Sequence, residues 1–182
     1  MCSPNLGVAP DGTPVRKAIE RRAAHGHGES AASPLARTAR FRAVGAPYSH
    51  RVRVRYGECD AQGVVFNAHY LAYFDIAITE LWRAAFGSYD VMLERGVDIV
   101  VAEAHLRFLK PARFDDLIDL EILVTRLGNT GMTTRHTVRR DGEELVVGEI
   151  RHVFVDPNAS GKKPIPEWVR AGLEPYCAPS ET

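Results

Sequence analysis

One segment, residues 68–86, constrains the fold more than any other part of the sequence. Its pattern predicts a helix in which three polar residues spaced by four, Asp75, Thr79 and Arg83, form a single narrow stripe. Apolar and aromatic side chains occupy most of the remaining circumference, whereas a surface helix usually has a broad polar face. A helix of this kind must be enclosed by other structure, so the rest of the chain has to supply the layer that covers it.

The segments around this helix predict a β-sheet. "YSHRVRVRY", before the helix, alternates apolar and polar residues, with Val52, Val54 and Tyr56 on the face predicted to be buried. After a short helix in "SYDVMLERG", four strand patterns follow: "VDIVVAEAHLRFLK", "DLIDLEILVTRLG", "GMTTRHTVRR" and "EELVVGEIRHVFVD". Asp141-Gly142, between the last two, is a strong hairpin signal.

The connections between these strands decide the fold class. Short turns favour antiparallel pairing, and one sheet has to wrap around one helix to bury it, which predicts an α+β domain. An open, curved sheet leaves edges that must be covered. Pairing with a second copy of the chain is an economical way to cover them, so we expect a homo-oligomer.

Composition divides the chain into three parts. Residues 1–46 are rich in Ala, Arg, Gly, Ser and Pro and poor in large apolar residues, which predicts a flexible N-terminal extension. This Arg-rich, acid-poor segment also loosely resembles an organelle transit peptide, although we prefer a flexible extension or an upstream start codon. Residues 47–157 should form the ordered domain, and residues 158–182 a C-terminal tail with a short helix.

Charge and cysteine content exclude several classes of protein. Lys plus Arg and Asp plus Glu number 23 each, so no basic surplus indicates nucleic acid or an anionic membrane as a partner. No stretch approaches the roughly 20 apolar residues that cross a bilayer. Three scattered cysteines argue against a disulfide framework and favour a reducing cytoplasm.

Several familiar catalytic and metal sites are also missing from the sequence. There is no GxSxG elbow, no GxxxxGK[ST] phosphate loop and no GxGxxG after a strand. We interpret Cys59 as a small packed thiol rather than a nucleophile. The strand histidines lack metal-ligand spacing, so we expect no metal site and no cofactor; they are His50, His105, His136 and His152.

Asp60 is the candidate catalytic residue that remains. It lies in the turn 57–67, just before the predicted helix, whose first backbone N–H groups have no partner within the helix and can bind a developing oxyanion. One carboxylate with such donors is sufficient to hydrolyse a thioester, because a thiolate, with a pKa of about 8.5, leaves without protonation. The alternative is that Asp60 only caps a turn, a common role for aspartate.

The stretch "VRYGECDAQGVVFNAHYLAYFDIA" resembles the signature of hotdog-fold acyl-CoA thioesterases of the 4-hydroxybenzoyl-CoA thioesterase-like family. The resemblance extends over residues 48–157, and includes the turn Pro111–Asp116 and the strand 135–138. The positions that match the signature are Tyr56, Asp60, Gly63, Val65, Tyr70, Leu71, Tyr73, Phe74 and Asp75.

This resemblance implies a hotdog fold, in which an antiparallel sheet wraps around one long central helix, and the hydrolysis of an acyl- or aroyl-CoA thioester. It implies that Asp60 is the catalytic carboxylate, as nucleophile or general base, and that the backbone N–H of Asn67 polarises the carbonyl. It also implies a homodimer, or a homotetramer built from such dimers, with sites at the subunit interface. The residues we predict to bind the substrate are Tyr56, Gly63, Phe66, His69 and Tyr70.

Some features of the resemblance leave alternatives open. Some relatives have His-Ala-Asn where this chain has Asn67-Ala68-His69, so His69 either orients water or simply packs. Only Arg126 and Arg135 are candidates for binding the CoA phosphates in "TRLGNTGMTTR". The thioester can belong to CoA or to an acyl-carrier protein. A non-catalytic acyl-thioester binding module and a hotdog hydratase or dehydratase are the alternative functions.

Overall fold

The computed structural model describes residues 45–179. The predicted flexible extension, residues 1–46, lies outside this range apart from its last two residues. Within the range, six strands and three helices are present. In chain order they are β1 (Tyr48–Arg53), α1 (His69–Phe86), α2 (Asp90–Glu94), β2 (Asp98–Phe108), β3 (Leu117–Leu127), β4 (Gly131–Arg140), β5 (Glu143–Asp156), β6 (Ala159–Lys162) and α3 (Glu167–Leu173).

The strands form one antiparallel sheet. Its order is β1-β3-β4-β5-β2, and β6 pairs with the end of β5. The predicted hairpin joins β4 to β5, where Asp141 and Gly142 both have positive φ, at 52° and 84°. Aspartate and glycine tolerate this left-handed conformation better than other residues, which is why the pair indicates a tight turn.

Helix α1 lies on the concave face of the sheet and forms the core with it. The alternation predicted for β3 is confirmed for Ile118, Leu120, Ile122 and Val124, which are buried beneath the helix. It is wrong for Leu117, which was also expected on the buried side but is 45% exposed at the start of the strand. Phe74 of α1 packs so closely on Gly148 of β5 that a Cβ at this glycine would lie 2.3 Å from the phenyl ring. The buried side chains of α1 are Tyr70, Tyr73, Phe74, Ala77, Ile78, Leu81 and Trp82.

One flank of α1 is not covered by the chain's own sheet. Leu71 and Asp75 are exposed there, although the apolar pattern predicts an enclosed helix. The neighbouring edge strand β2 is also apolar and exposed, with Val100 at 46% and Val101 at 61% of full exposure. The enclosure of α1 is therefore incomplete within one copy of the chain.

The predicted strand before the helix is shorter than the sequence pattern indicates. β1 ends at Arg53, and residues Tyr56–Glu58 form a 3₁₀ turn. Tyr56 was expected to share the buried face with Val52 and Val54, but it is 82% exposed and packs edge-on against Phe114. The prediction for Tyr56 was wrong because the chain turns before the alternation reaches it.

The C-terminal segment closes one end of the core. Val169 and Leu173 of α3 are fully buried, and Arg170 donates hydrogen bonds to the backbone of the β3–β4 turn. Helix α3 also approaches the end of α1, since a Cβ at Gly172 would lie 2.2 Å from the ring of Phe86. None of the helices within residues 45–179 is both long enough and apolar enough to cross a membrane.

Candidate active site

A tight turn fixes the Asp60 carboxylate in place. The Asp60 N–H donates to the Val64 carbonyl at 2.9 Å, and the Gly63 N–H donates to the Asp60 carbonyl at 3.0 Å. Side-chain Oδ1 of Asp60 accepts the Gln62 N–H at 2.8 Å. Gly63 has φ of +73°, a conformation that glycine adopts without strain. Asp60 is half-buried, and its Oδ2 has no hydrogen-bond partner among residues 45–179, so this oxygen is available to a substrate.

The segment after this turn delivers the chain to the start of α1. The Val65 N–H donates to the Ala112 carbonyl at 2.8 Å, and the Phe66 N–H donates to the Glu58 carbonyl at 2.9 Å. The Asn67 side chain accepts the Ala68 N–H at 2.8 Å. The backbone N–H of Asn67 itself makes no hydrogen bond within the described part of the chain, so it is available to an oxyanion.

Asp60 and Asn67 line the same cleft, of about 410 Å³. Its apolar walls include Phe66, Tyr70 and Phe108, and Lys110, ion-paired with Glu143, lies at its rim. The Tyr70 hydroxyl accepts the Ala112 N–H at 3.1 Å, and burial raises the pKa of Tyr70, so its hydroxyl stays protonated. Of the predicted site residues, Asp60, Phe66, Asn67 and Tyr70 therefore come together in one cleft.

The other predicted site residues lie elsewhere in the chain. Gly63 shapes the turn but does not line the cleft, and Tyr56 lies on a separate groove of about 600 Å³ between α1 and β1. Arg126 and Arg135 are exposed on β3 and β4, and neither lines the cleft. Their assignment to CoA binding stays a prediction.

Glu58 is a partly buried carboxylate that sequence reasoning missed. Its Oε2 accepts the Arg55 N–H at 2.7 Å and the Tyr73 hydroxyl at 2.6 Å, and the His69 ring lies 3.7 Å from Oε1. Burial, followed by the hydrogen bond to Glu58, raises the pKa of Tyr73. This network ties the 3₁₀ turn to α1, and it holds His69 outside the Asp60 cleft. The only sequence signal for this network is the spacing of Glu58 three residues after Arg55, because an acidic residue at the third position of a turn can accept the N–H of the residue before the turn.

The geometry of the cleft suits attack on a carbonyl group. A half-buried carboxylate oxygen lies in the same apolar cleft as an N–H at the positive end of a helix. Such a cleft can hold an acyl group while a carboxylate attacks it directly or activates water. Among residues 45–179, no three His, Cys, Asp or Glu side chains cluster so as to hold a metal ion.

Comparison with known proteins decides the family. Residues 54–173 match the family model described as the thioesterase-like superfamily. The chain belongs to this superfamily. It is 31% identical over 121 residues to the acyl-CoA thioester hydrolase YbgC of Escherichia coli, a match that covers 66% of this chain and 90% of the relative.

More distant relatives agree with this assignment. The chain is 22% identical over 135 residues to a 1,4-dihydroxy-2-naphthoyl-CoA hydrolase of Synechococcus elongatus, covering 71% of this chain and 96% of that protein. A thioesterase superfamily structure from Jannaschia sp. CCS1 superposes with a TM-score of 0.68 at 26% identity, covering 74% and 94% of the two chains. The predicted hotdog fold and the resemblance to its thioesterases are both confirmed.

Proposed function

We propose that this member of the thioesterase-like superfamily hydrolyses acyl-CoA thioesters to a free carboxylic acid and CoA, with Asp60 as nucleophile or general base. The observation that carries the proposal is the shared cleft of Asp60 and Asn67, which contains a carboxylate and an available backbone N–H just before the start of α1. The E. coli relative is an acyl-CoA thioester hydrolase by name, and the Synechococcus relative hydrolyses an aroyl-CoA.

The chemistry requires only these two groups. In the general-base route, the Asp60 carboxylate takes a proton from water, and the water oxygen bonds to the thioester carbon. The Asn67 N–H donates to the oxyanion that forms. The C–S bond then breaks and the thiolate leaves with its electron pair, after which Asp60 releases its proton to the thiolate or to solvent. In the nucleophilic route, the Asp60 carboxylate bonds to the thioester carbon and the thiolate leaves with its electron pair. Water then hydrolyses the resulting anhydride to the free acid and the Asp60 carboxylate.

We further propose that two copies of the chain pair along β2 and the open flank of α1, as a homodimer or a homotetramer of dimers. β2 is eleven residues long and stands at the end of the sheet, where its exposed valines form an edge that natural proteins normally cover. The exposed Leu71 of α1 lies on the same side, since it lines a cavity together with Val101 of β2. A second copy covers both elements at once, and it can bring its own Arg126 or Arg135 towards the CoA phosphates.

The substitution Asp60→Asn tests the catalytic assignment. It keeps the size of the side chain and its acceptor for the Gln62 N–H, but it removes the charge that attacks or deprotonates. We expect kcat to fall by roughly 10²- to 10⁴-fold, as for the loss of a general base, measured by thiol release from a panel of acyl-CoAs.

Asp141→Asn is the matched control, because Asp141 lies in the β4–β5 hairpin and asparagine tolerates its positive φ. We expect this variant to hydrolyse acyl-CoAs at the wild-type rate. Wild-type turnover in Asp60→Asn would contradict the proposal. Tight binding of acyl-CoA by the unaltered protein without hydrolysis would instead indicate a non-catalytic binding module.

A further inference from the structure

A second cavity, of about 200 Å³, lies between α1 and the sheet and contains polar groups that the proposed reaction does not use. α1 lines it from Leu71 to Ile78, and His136 of β4 and His152 of β5 line its floor. An adjoining cavity of about 270 Å³ also contains Asp75, Ile78 and His152. Both histidines are almost fully buried, at 1% and 3% of full exposure.

The hydrogen bonds of Thr134 are compatible with a tautomer of His136 in which Nδ1 is unprotonated. The Thr134 hydroxyl donates to the Ile150 carbonyl at 3.3 Å, so its single proton is used. In this arrangement His136 Nε2, which lies 3.0 Å from the same oxygen, donates to it. Because burial lowers the pKa of His136 to about 3, the ring is neutral and its Nδ1 carries a lone pair rather than a proton.

That lone pair has no partner. The Nδ1 atoms of His136 and His152 are both buried without a hydrogen bond among the described residues. The Phe74 ring stacks on His136 with a centroid distance of 4.6 Å and covers one face, but it offers no donor. An unsatisfied buried acceptor is costly, so a cavity lined by one favours an occupant that brings an O–H or N–H group.

The cavity lies further along α1 and β2 than the Asp60 cleft, which the same two elements line. Tyr70 in the cleft and Phe74 and Ile78 in the cavity are spaced by four residues, so they follow one flank of α1 over about 12 Å at 1.5 Å per residue. On the facing strand β2, Phe108 lines the cleft and Ala104 the cavity. An elongated acyl group that starts at Asp60 therefore extends towards the histidines.

We propose that the cavity formed by His136 and His152 is a subsite for the far end of an elongated acyl group that carries a hydroxyl, with His136 Nδ1 as its hydrogen-bond acceptor. The inference rests on the proposed function for the identity of the ligand as an acyl thioester. The Nδ1 atom of His152, which also has no partner among the described residues, makes the same cavity still less favourable for an acyl chain that ends in a methyl group.

Binding of matched acyl-CoA analogues tests this subsite without requiring hydrolysis. The probes are non-hydrolysable thioether analogues of ω-hydroxyacyl-CoAs, from hexanoyl to dodecanoyl length, each compared by calorimetry with the unsubstituted analogue of the same length. We expect the unaltered protein to bind the hydroxylated member of the best-fitting pair roughly ten- to hundred-fold more tightly, because it satisfies a buried acceptor. Equal affinity at every length would overturn the proposal, since water then satisfies the histidines.

The substitution His136→Phe removes the acceptor and nearly conserves the ring volume, and Thr134 keeps its hydrogen bond to Ile150. We expect the preference to be lost or reversed, because the ligand hydroxyl is then buried without a partner. His105→Phe is the matched control, since His105 is exposed on β2 and pairs only with Glu103 among the described residues. A preference that persists in His136→Phe contradicts the assignment.

A spectroscopic measurement covers the case in which His136→Phe does not fold. The ¹⁵N resonance of an unprotonated imidazole nitrogen moves when that nitrogen accepts a hydrogen bond, so the hydroxylated analogue should shift the His136 Nδ1 signal and the unsubstituted analogue should not. No difference between the two would overturn the proposal. If Asp60→Asn loses hydrolysis but the unaltered protein shows no preference for hydroxylated analogues, the proposed function holds and the subsite does not. If the unaltered protein prefers hydroxylated analogues but hydrolyses no acyl-CoA, the subsite holds and the proposed function does not.

Discussion

At the scale of single residues, Glu58 connects the turn that carries Asp60 to the central helix. Its side chain is only 14% exposed, and its carboxylate accepts hydrogen bonds from the Arg55 backbone and the Tyr73 hydroxyl. Hydrogen bonds to a charged group are worth more than neutral ones. Because Asp60 follows Glu58 by two residues, the position of the candidate catalytic carboxylate depends on this anchor.

We therefore predict that Glu58→Ala lowers the free energy of unfolding by about 2 kcal/mol, since it leaves the buried Tyr73 hydroxyl unsatisfied and removes the acceptor of the exposed Arg55 N–H. Tyr73→Phe should cost less, about 1 kcal/mol, because it removes its own donor along with the bond. The two effects should not add in the double variant, because both report the same contact. Urea unfolding of the four proteins measures this coupling, and additive effects would show that the hydrogen bond contributes nothing.

The roles of individual side chains were the part of the structure that could least be predicted from the sequence. Asp60 could be proposed from the sequence because its motif is local, and because a lone carboxylate can catalyse only a few kinds of reaction. Glu58 and the pairing of His136 with His152 were not, because each acquires its role from a partner distant in the chain or on another strand. The roles of Asp60, Asn67, Arg126 and Arg135 stay predictions until they are measured.

At the scale of helices and strands, periodicity was sufficient for most of the fold. The helix predicted for residues 68–86 is α1, and the four strand patterns after it are β2 to β5, because apolar spacing reports directly which face is buried. Two features escaped this reading. The short strand β6 follows a turn without a clear pattern, and β2 has a bulge between Val101 and Glu103 that shifts its alternation.

The packing of α1 on the sheet makes stability depend on pH. Burial lowers the pKa of His136 to about 3 and that of His152 to about 4, from an unfolded value near 6.5. Asp75 is the acidic group that faces both rings across the cavities. As pH falls below about 6.5 the unfolded chain binds protons that the folded chain excludes, so stability is lost progressively until the folded pKa values are reached.

We predict a loss of about 2 kcal/mol for each histidine between pH 7 and pH 5, since one pKa unit corresponds to about 1.4 kcal/mol. His136→Gln cannot titrate in this range, so its unfolding free energy should fall less steeply with pH than that of the wild type. His50→Gln, a strand histidine that is not fully buried, is the control and should retain the wild-type slope. Identical slopes for all three proteins would show that His136 is protonated in the folded state.

At the scale of the whole molecule, one chain leaves its own core partly open. The exposed flank of α1, the apolar edge strand β2 and the cavities between them lie on the same side of the sheet. The predicted cytoplasmic location and the predicted boundary at residue 157 are not decided by this arrangement. The predicted pairing with a second copy, by contrast, has a direct physical reason, since an exposed apolar strand edge promotes association.

We predict that Val101→Lys converts the proposed oligomer to monomers, because a charged residue at the most exposed valine of β2 blocks both apolar burial and edge-to-edge pairing. Light scattering coupled to size-exclusion chromatography should show the mass of a single chain, with the far-UV circular dichroism of a folded protein. Leu93→Lys, at an exposed leucine of α2, is the control and should keep the oligomer mass. An unchanged mass in Val101→Lys would mean that the subunits pair elsewhere, and that one chain must complete the Asp60 cleft alone.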